Sequence, residues 1–436
     1  MTDCTERQTA APDDDLAGEG QEGMAKAGTA MTDCTEPIVL DIHATDVHAE
    51  GARVRAAGPV ALVELPGGVR AWAVGHLELL RTLLADSRVS KDARQHWAAW
   101  RRGEISERWP LFPWVAVQNM FTAHGAEHKR LRGLLTAAFT ARSTAALRPR
   151  IEQVAARLLD DIARIPEPFD LCASYADPLP IEVITHLFGV PEERLAEVRE
   201  SVELAFDTTV PAETAAANNQ RMTEVFVELI ADKRRNPGDD LASALIAARD
   251  DDGDRLTEAE LVDTWRLIIA SGYETTANLI DHAVTAMLTH PQQLALVRSG
   301  ERPWRDVVEE SLRWQPPSPY VPLRYAVTDI DVGGVTIPEG DAILAAYAAA
   351  GRDPGAHGDT ADQFDITRVV KQHLSFGHGM HYCIGAPMAR LEAEIALPAL
   401  FERFPELCLA VPAGELTTRD SLFSNGHREI PCLRQP

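Results

Sequence analysis

The sequence predicts a mainly α protein with small sheets, an α+β fold, and three observations predict it. Helical apolar spacing dominates from Gly125 to about Ile165 and returns from Glu192 to Arg249, with breaks at Pro211 and Pro237. A further apolar pattern opens at Thr257 and meets no stop before Pro291. The β-like runs, by contrast, are short and sit beside Gly-rich turns.

In chain order, residues 1–36 are polar, acidic and small, and are expected to form a disordered extension. Met1–Glu6 and Met31–Glu36 both read MTDCTE, which a cloning scar, a second start site and a true repeat explain equally. Folded structure is expected from Pro37 onward. Val60–Leu65 and Val69–Val74 flank Pro66-Gly67-Gly68 and read as a hairpin. Thr257 and Glu260 have the capping-box form, and the helix they open spans roughly 50 Å at 1.5 Å per residue. Its middle, Leu267-Ile268-Ile269-Ala270, is apolar on every side, the mark of a helix buried at the centre of a soluble protein. Gly333-Gly334 makes a two-residue turn between short β-like runs. After Gly385 come a helix and a small β-like tail.

Composition excludes several functions. The 436 residues are 45% apolar and 25% charged, an ordinary globular balance with ample material for a large core. With 42 Lys plus Arg against 66 Asp plus Glu, the net charge of −24 repels phosphate backbones and anionic lipid heads, so neither nucleic acid nor membrane is an expected partner. The six cysteines have no CxxC spacing, which argues against a disulfide scaffold or a zinc ribbon and for a reducing cytoplasm. The N-terminus lacks the basic start and apolar run of a signal peptide, and no apolar stretch reaches about 18 residues.

Chemistry concentrates in three places. The first is Phe376-Gly377-His378-Gly379-Met380-His381-Tyr382-Cys383-Ile384-Gly385-Ala386-Pro387. A thiolate that approaches a flat macrocycle needs small neighbours, which Gly377, Gly379 and Gly385 supply. Pro387 suits the first turn of the helix that follows, whose positive end would stabilise the thiolate. The second is Glu310-Ser311-Leu312-Arg313, an acid and a base on one helical face. The third is Gly272-Tyr273-Glu274-Thr275-Thr276, in the middle of the long apolar helix, where a carboxylate is costly without a partner or a task. An acid followed by a hydroxyl can supply protons to oxygen chemistry, and a Thr hydroxyl or a Gly can open the helix ladder locally.

The first string resembles the cytochrome P450 haem-binding signature F-G-x-G-x-H-x-C-x-G at every fixed position. The resemblance covers about residues 37–436, with the motifs in family order and spacing. It implies a single haem domain, a helical prism that holds haem b (iron protoporphyrin IX) between the long helix and the cysteine loop. Cys383 is then the iron ligand and His381 a partner of a propionate. Glu310 and Arg313, joined by Arg368, become the structural brace behind the haem. Glu274 and Thr275 match the acid and alcohol of [AG]-G-x-[DE]-T-T and take the proton-delivery roles, with Ser271 standing where Ala or Gly is usual. His128 and Arg132 resemble the family's H-x-x-x-R, and Arg324 matches a further propionate ligand.

The reaction implied is insertion of one oxygen atom from O2 into a C–H bond of a hydrophobic small molecule of steroid, terpenoid or macrolide type. Because no flavin or iron–sulfur segment follows in this sequence, electrons from NAD(P)H are expected through a separate ferredoxin and ferredoxin reductase. Residues 92–120 (with Trp97, Trp100, Phe112 and Trp114), 203–212, 319–323 and 421–424 are expected to face the substrate. Three rivals stand beside this reading. They are a peroxide-using or dehydrating family member, a haem sensor, and a zinc site made from His373, His378, His381 and Cys383.

Overall fold

The long helix runs from Glu258 to Thr289 in the computed structural model, which describes residues 36–139, 141–249, 253 and 255–435. Its N-terminus is fixed as the sequence implies: Thr257 Oγ1 accepts from Glu260 N–H at 3.2 Å, and Glu260 Oε2 accepts from Thr257 N–H at 2.7 Å. From Ala277 to Val284 every residue of this helix is buried. It packs against helices Pro178–Leu187, Ala212–Arg235, Trp304–Trp314 and Ala386–Arg403, so the centre of the molecule is helix on helix. The segment Leu267–Ala270 is apolar all round for a mixed reason. Ile269 faces the core, whereas Leu267, Ile268 and Ala270 line a cavity.

The largest sheet has six strands in the order Ile38–Val39, Ala61–Leu65, Val69–Val74, Ala342–Ala346, Tyr320–Ala326, Val89–Ser90. The hairpin across Pro66-Gly67-Gly68 pairs Leu65 with Val69, and both glycines have positive φ. Gly333 and Gly334, at φ 61° and 87°, close the second hairpin with the two-residue turn that suits strand twist. Trp97 and Trp100, expected to face substrate, are used for packing instead. Trp97 is buried and stacks on Tyr325 at 5.2 Å between ring centroids, and Trp100 stacks on Phe112 at 5.2 Å. Their apolar surface fills the space beside the sheet.

The acid–base pair behind the site is fully buried. Glu310 receives Arg313 Nε and Nη2 at 2.9 and 2.7 Å, and Arg313 donates its remaining hydrogens to the carbonyls of Gly351, Ala361 and Gln363. All five guanidinium N–H groups are thereby used. Arg368 reaches Glu310 Oε1 at 3.4 Å and the carbonyls of His357 and Thr360. Gly351 is obligatory here, since a Cβ would lie 2.1 Å from Arg313 O. This knot holds the meander of residues 351–368 that leads into the cysteine loop.

From Pro37 onward the chain is one compact unit. The extension expected over residues 1–36 lies outside the described residues, Glu36 excepted. No described helix is long and apolar enough to cross a membrane.

Candidate active site

Cys383 sits where a tight loop meets helix Ala386–Arg403, with Pro387 in the first turn. Cys383 N–H donates to Phe376 O at 2.9 Å, and Gly377 and Gly379 take φ of 71° and 69°, a region that side chains disfavour. The glycines divide their work. Gly377 and Gly385 line the cavity, but a Cβ on Gly379 would lie 2.6 Å from Leu84 O, so Gly379 packs the loop on the helix Leu77–Ala85 and not on a ligand. Arg390 clamps the loop from behind, its guanidinium 4.4 Å from the Phe376 ring centroid and its Nε 2.5 Å from Glu309.

Cys383 is exposed and lines a cavity of about 360 Å³. Burial pushes its thiol pKa up, against the pull of the Gly385 and Ala386 N–H groups and of Arg132 and Arg390. The helix end therefore moderates a thiolate but does not make one alone.

Lys91, Arg132, Arg324 and His381 all line this cavity and stand close enough to act on one another. A fifth, His128, stands behind His381 with ring centroids 4.2 Å apart. None of the five has an acidic partner among the described residues. Arg132 Nη2 donates to Tyr382 O at 2.9 Å, and Arg324 Nη2 to Tyr347 Oη at 3.1 Å. Arg324 Nη1, His128 Nε2 and His381 Nε2 are buried without partners. Burial and the neighbouring cations lower the pKa of His128 to about 4, push His381 further down and hold Lys91 well below its ordinary value. A buried cluster of bases without counter-ions is a site built for a dianion. The two propionates of a haem would fit it, and the Cys383 sulfur is a donor suited to the iron.

Lys91 is the residue that sequence reasoning missed. It is 3% exposed, donates from Nζ only to Pro322 O at 3.1 Å and lies 3.5 Å from the Phe121 ring centroid. A lysine at the end of a short strand carries no periodic or motif signal, and only its convergence with Arg324 reveals it.

On the long helix, Thr275 and Ser271 line the cavity, and both hydroxyls bond back to their own helix: Thr275 Oγ1 to Ser271 O and Ser271 Oγ to Leu267 O, each at 2.6 Å. The helix is continuous here and is not opened. A Cβ on Gly272 would meet Ile184 at 3.1 Å, so this glycine admits the neighbouring helix. Glu274 points elsewhere than the cavity. Its carboxylate accepts from Ser424 Oγ at 2.5 Å and lies 3.4 Å from Arg419 Nη1. Arg419 in turn donates to Asp177 at 2.7 Å, Asp177 faces Arg199 at 3.4 Å, and Arg199 bonds the half-exposed Glu203 at 2.7 Å. Burial raises Asp177 to about 6 in spite of both arginines. A chain of titratable groups thus links Glu274 to the surface.

The remaining wall is apolar. Trp114, Phe206 and Phe423 come from three of the expected substrate-facing segments and meet edge to face, with Trp114 4.9 Å from Phe206 and 5.1 Å from Phe423. Tyr320, Val321 and Pro322 supply the fourth. The zinc alternative fails on geometry: His373 is engaged with Glu309, and no group of three or more His, Cys, Asp or Glu among the described residues is arranged to hold a metal ion.

The cytochrome P450 family model matches residues 304–410. The 2-hydroxy-5-methyl-1-naphthoate 7-hydroxylase of Streptomyces carzinostaticus is 45% identical over 397 residues, covering 91% of this chain and 97% of its own. The cytochrome P450 monooxygenase PikC of Streptomyces venezuelae is 40% identical over 407 residues, 91% of this chain and 94% of its own. The solved structure of CYP154A1 from Streptomyces coelicolor A3(2) is 52% identical with a TM-score of 0.86, over 91% of this chain and 100% of that one.

Proposed function

The chain belongs to the cytochrome P450 family, and we propose that Cys383 would ligate the iron of its haem, with five basic side chains holding the propionates. The enzyme is a haem monooxygenase that hydroxylates hydrophobic molecules with O2 and electrons from redox partners. The observation that carries the proposal is a cysteine sulfur turned into a large apolar cavity beside unpaired buried bases.

In this reading the cofactor is haem b, and Arg132, Arg324, His381, His128 and Lys91 neutralise its propionates. Bound haem would supply the O2 chemistry, and a thiolate ligand would set its reactivity. The chain's own residues do the rest. The aromatic wall of Trp114, Phe206 and Phe423 excludes water and holds an apolar substrate of steroid, terpenoid, macrolide or aromatic type. The Thr275 hydroxyl, turned from Ser271 O, would present a proton to the cavity, and Glu274, turned from Ser424 and the permanently charged Arg419, would replace it.

Ferredoxin with an NAD(P)H-dependent reductase is the proposed electron source. The cytoplasm is the proposed compartment, which suits the four described cysteines, all of them free thiols. A turnover assay tests the proposal. Hydroxylated product with ferredoxin, reductase and NADPH is expected, whereas product with peroxide alone and none with ferredoxin would contradict it.

A further inference from the structure

One wall of the cavity carries a charge that the haem floor does not use. Arg266 lies on the long helix nine residues before Thr275, about 13 Å along the axis at 1.5 Å per residue. It lines the cavity together with the apolar Leu267, Ile268 and Ala270. Its side chain is 16% exposed, and its donors are far from satisfied. Nη2 donates to Thr223 Oγ1 at 2.6 Å, while Nε is buried without a partner. Asp263 Oδ1 stands 3.5 Å from Nη1 as a loose ion-pair partner, while its Oδ2 accepts from Gln118 N–H at 3.1 Å. Burial acts against this guanidinium, and Asp263 offsets only part of the effect. The acid that lines the cavity, Asp207, is spent on Thr209, whose N–H and Oγ1 both donate to its Oδ1.

A partly buried guanidinium with unused donors, in an otherwise apolar wall, stabilises an anion that brings two oxygens to it. We propose that Arg266 receives a carboxylate on the substrate, so that the enzyme takes a hydrophobic carboxylic acid. The acid end rests at Arg266, and the C–H bond to be oxidised lies toward Thr275 and Cys383. This rests on the haem-monooxygenase reading and narrows its substrate class.

The test uses the haem-loaded enzyme and three probe pairs: lauric, 2-naphthoic and lithocholic acid, each with its methyl ester. Binding is read from the haem spin-state change, in wild type and in Arg266→Met and Arg266→Lys. At least one acid should bind about tenfold or more tightly than its ester, a difference of ~1.4 kcal/mol. Arg266→Met should abolish that preference by weakening the acid while the ester stays within about twofold, and Arg266→Lys should keep part of it. A wild type that prefers no acid, or an Arg266→Met that weakens acid and ester alike, overturns the inference. The reduced carbon monoxide spectrum of the same samples separates the two levels. A thiolate-type band without acid preference sinks this inference alone, and a missing band sinks the underlying reading with it.

Discussion

Lys91 shows what the site demands at the scale of a residue. An ammonium that is 3% exposed, bonded to one carbonyl and faced by Arg324, is uncompensated until a carboxylate arrives. Replacing it with Met should therefore leave the haem-free protein as stable as wild type or more so. The haem-loaded form should lose ~1.5–3 kcal/mol of haem affinity, the weight of a charged hydrogen bond. Haem transfer to apomyoglobin measures this, and an unchanged release rate would make Lys91 a structural residue. Thr275 and Glu274 predict a different phenotype. With Thr275→Ala or Glu274→Gln the haem should stay bound while product per NAD(P)H falls and peroxide rises. The Ser271→Ala, Thr275→Ala pair gives the cleaner test, because Ser271 lines the same wall. Full coupling in that double variant would remove proton delivery from this segment. That Cys383, His381 and Thr275 share one cavity was legible because short motifs name them. Lys91 and Arg419 were not, since each acquires its role from partners more than a hundred residues away, Pro322 and Glu274.

At the scale of elements, the segment around residues 417–428 ties the substrate wall to the proton path. It carries Phe423 into the cavity, and it is fastened to the long helix by Ser424 and Arg419 on Glu274, Asn278 on Ser424, and His427 on Asp281. Gly426 permits this approach, since a Cβ there would lie 2.1 Å from Asn278 Oδ1. Burial would raise Asp281, but the charge and hydrogen bonds of His427 outweigh it and hold the carboxyl at about 2. Burial would likewise lower His427, and Asp281 raises it instead. The signs fix the pH window. The depressed Asp281 contributes stability above its unfolded value of about 3.9, lost as pH falls through about 2. The raised His427 contributes below its unfolded value of about 6.5, lost as pH climbs through its higher folded value. Thermal stability should then fall from pH about 6 to about 9 in wild type, and His427→Gln should flatten that slope. Parallel profiles would show that the clamp contributes nothing. The sequence announced the long helix through Thr257 and Glu260 and the hairpins through their glycines, because those signals are local. The clamp depends on contacts about 145 residues apart, as between Glu274 and Arg419, and left no periodic trace.

At the scale of the whole molecule, a chain of net charge −24 encloses a cavity floored with basic side chains. Composition revealed the acidic surface but not the basic interior, which five residues from four segments assemble only on folding. The order of the motifs implied one domain, and the long helix, the buried Glu310–Arg313 pair and the cysteine loop do lie in one compact unit from Pro37 onward. The central claim is that this cofactor is haem and that Cys383 alone ligates it. The direct measurement is the reduced carbon monoxide difference spectrum of wild type beside Cys383→Ser, with Cys172→Ser, Cys408→Ser and Cys432→Ser as controls. Wild type and the three controls should give the red-shifted thiolate-type Soret band, and Cys383→Ser should lose it while keeping the fold. A red-shifted band that survives in Cys383→Ser, or that vanishes in one of the controls, would contradict the account.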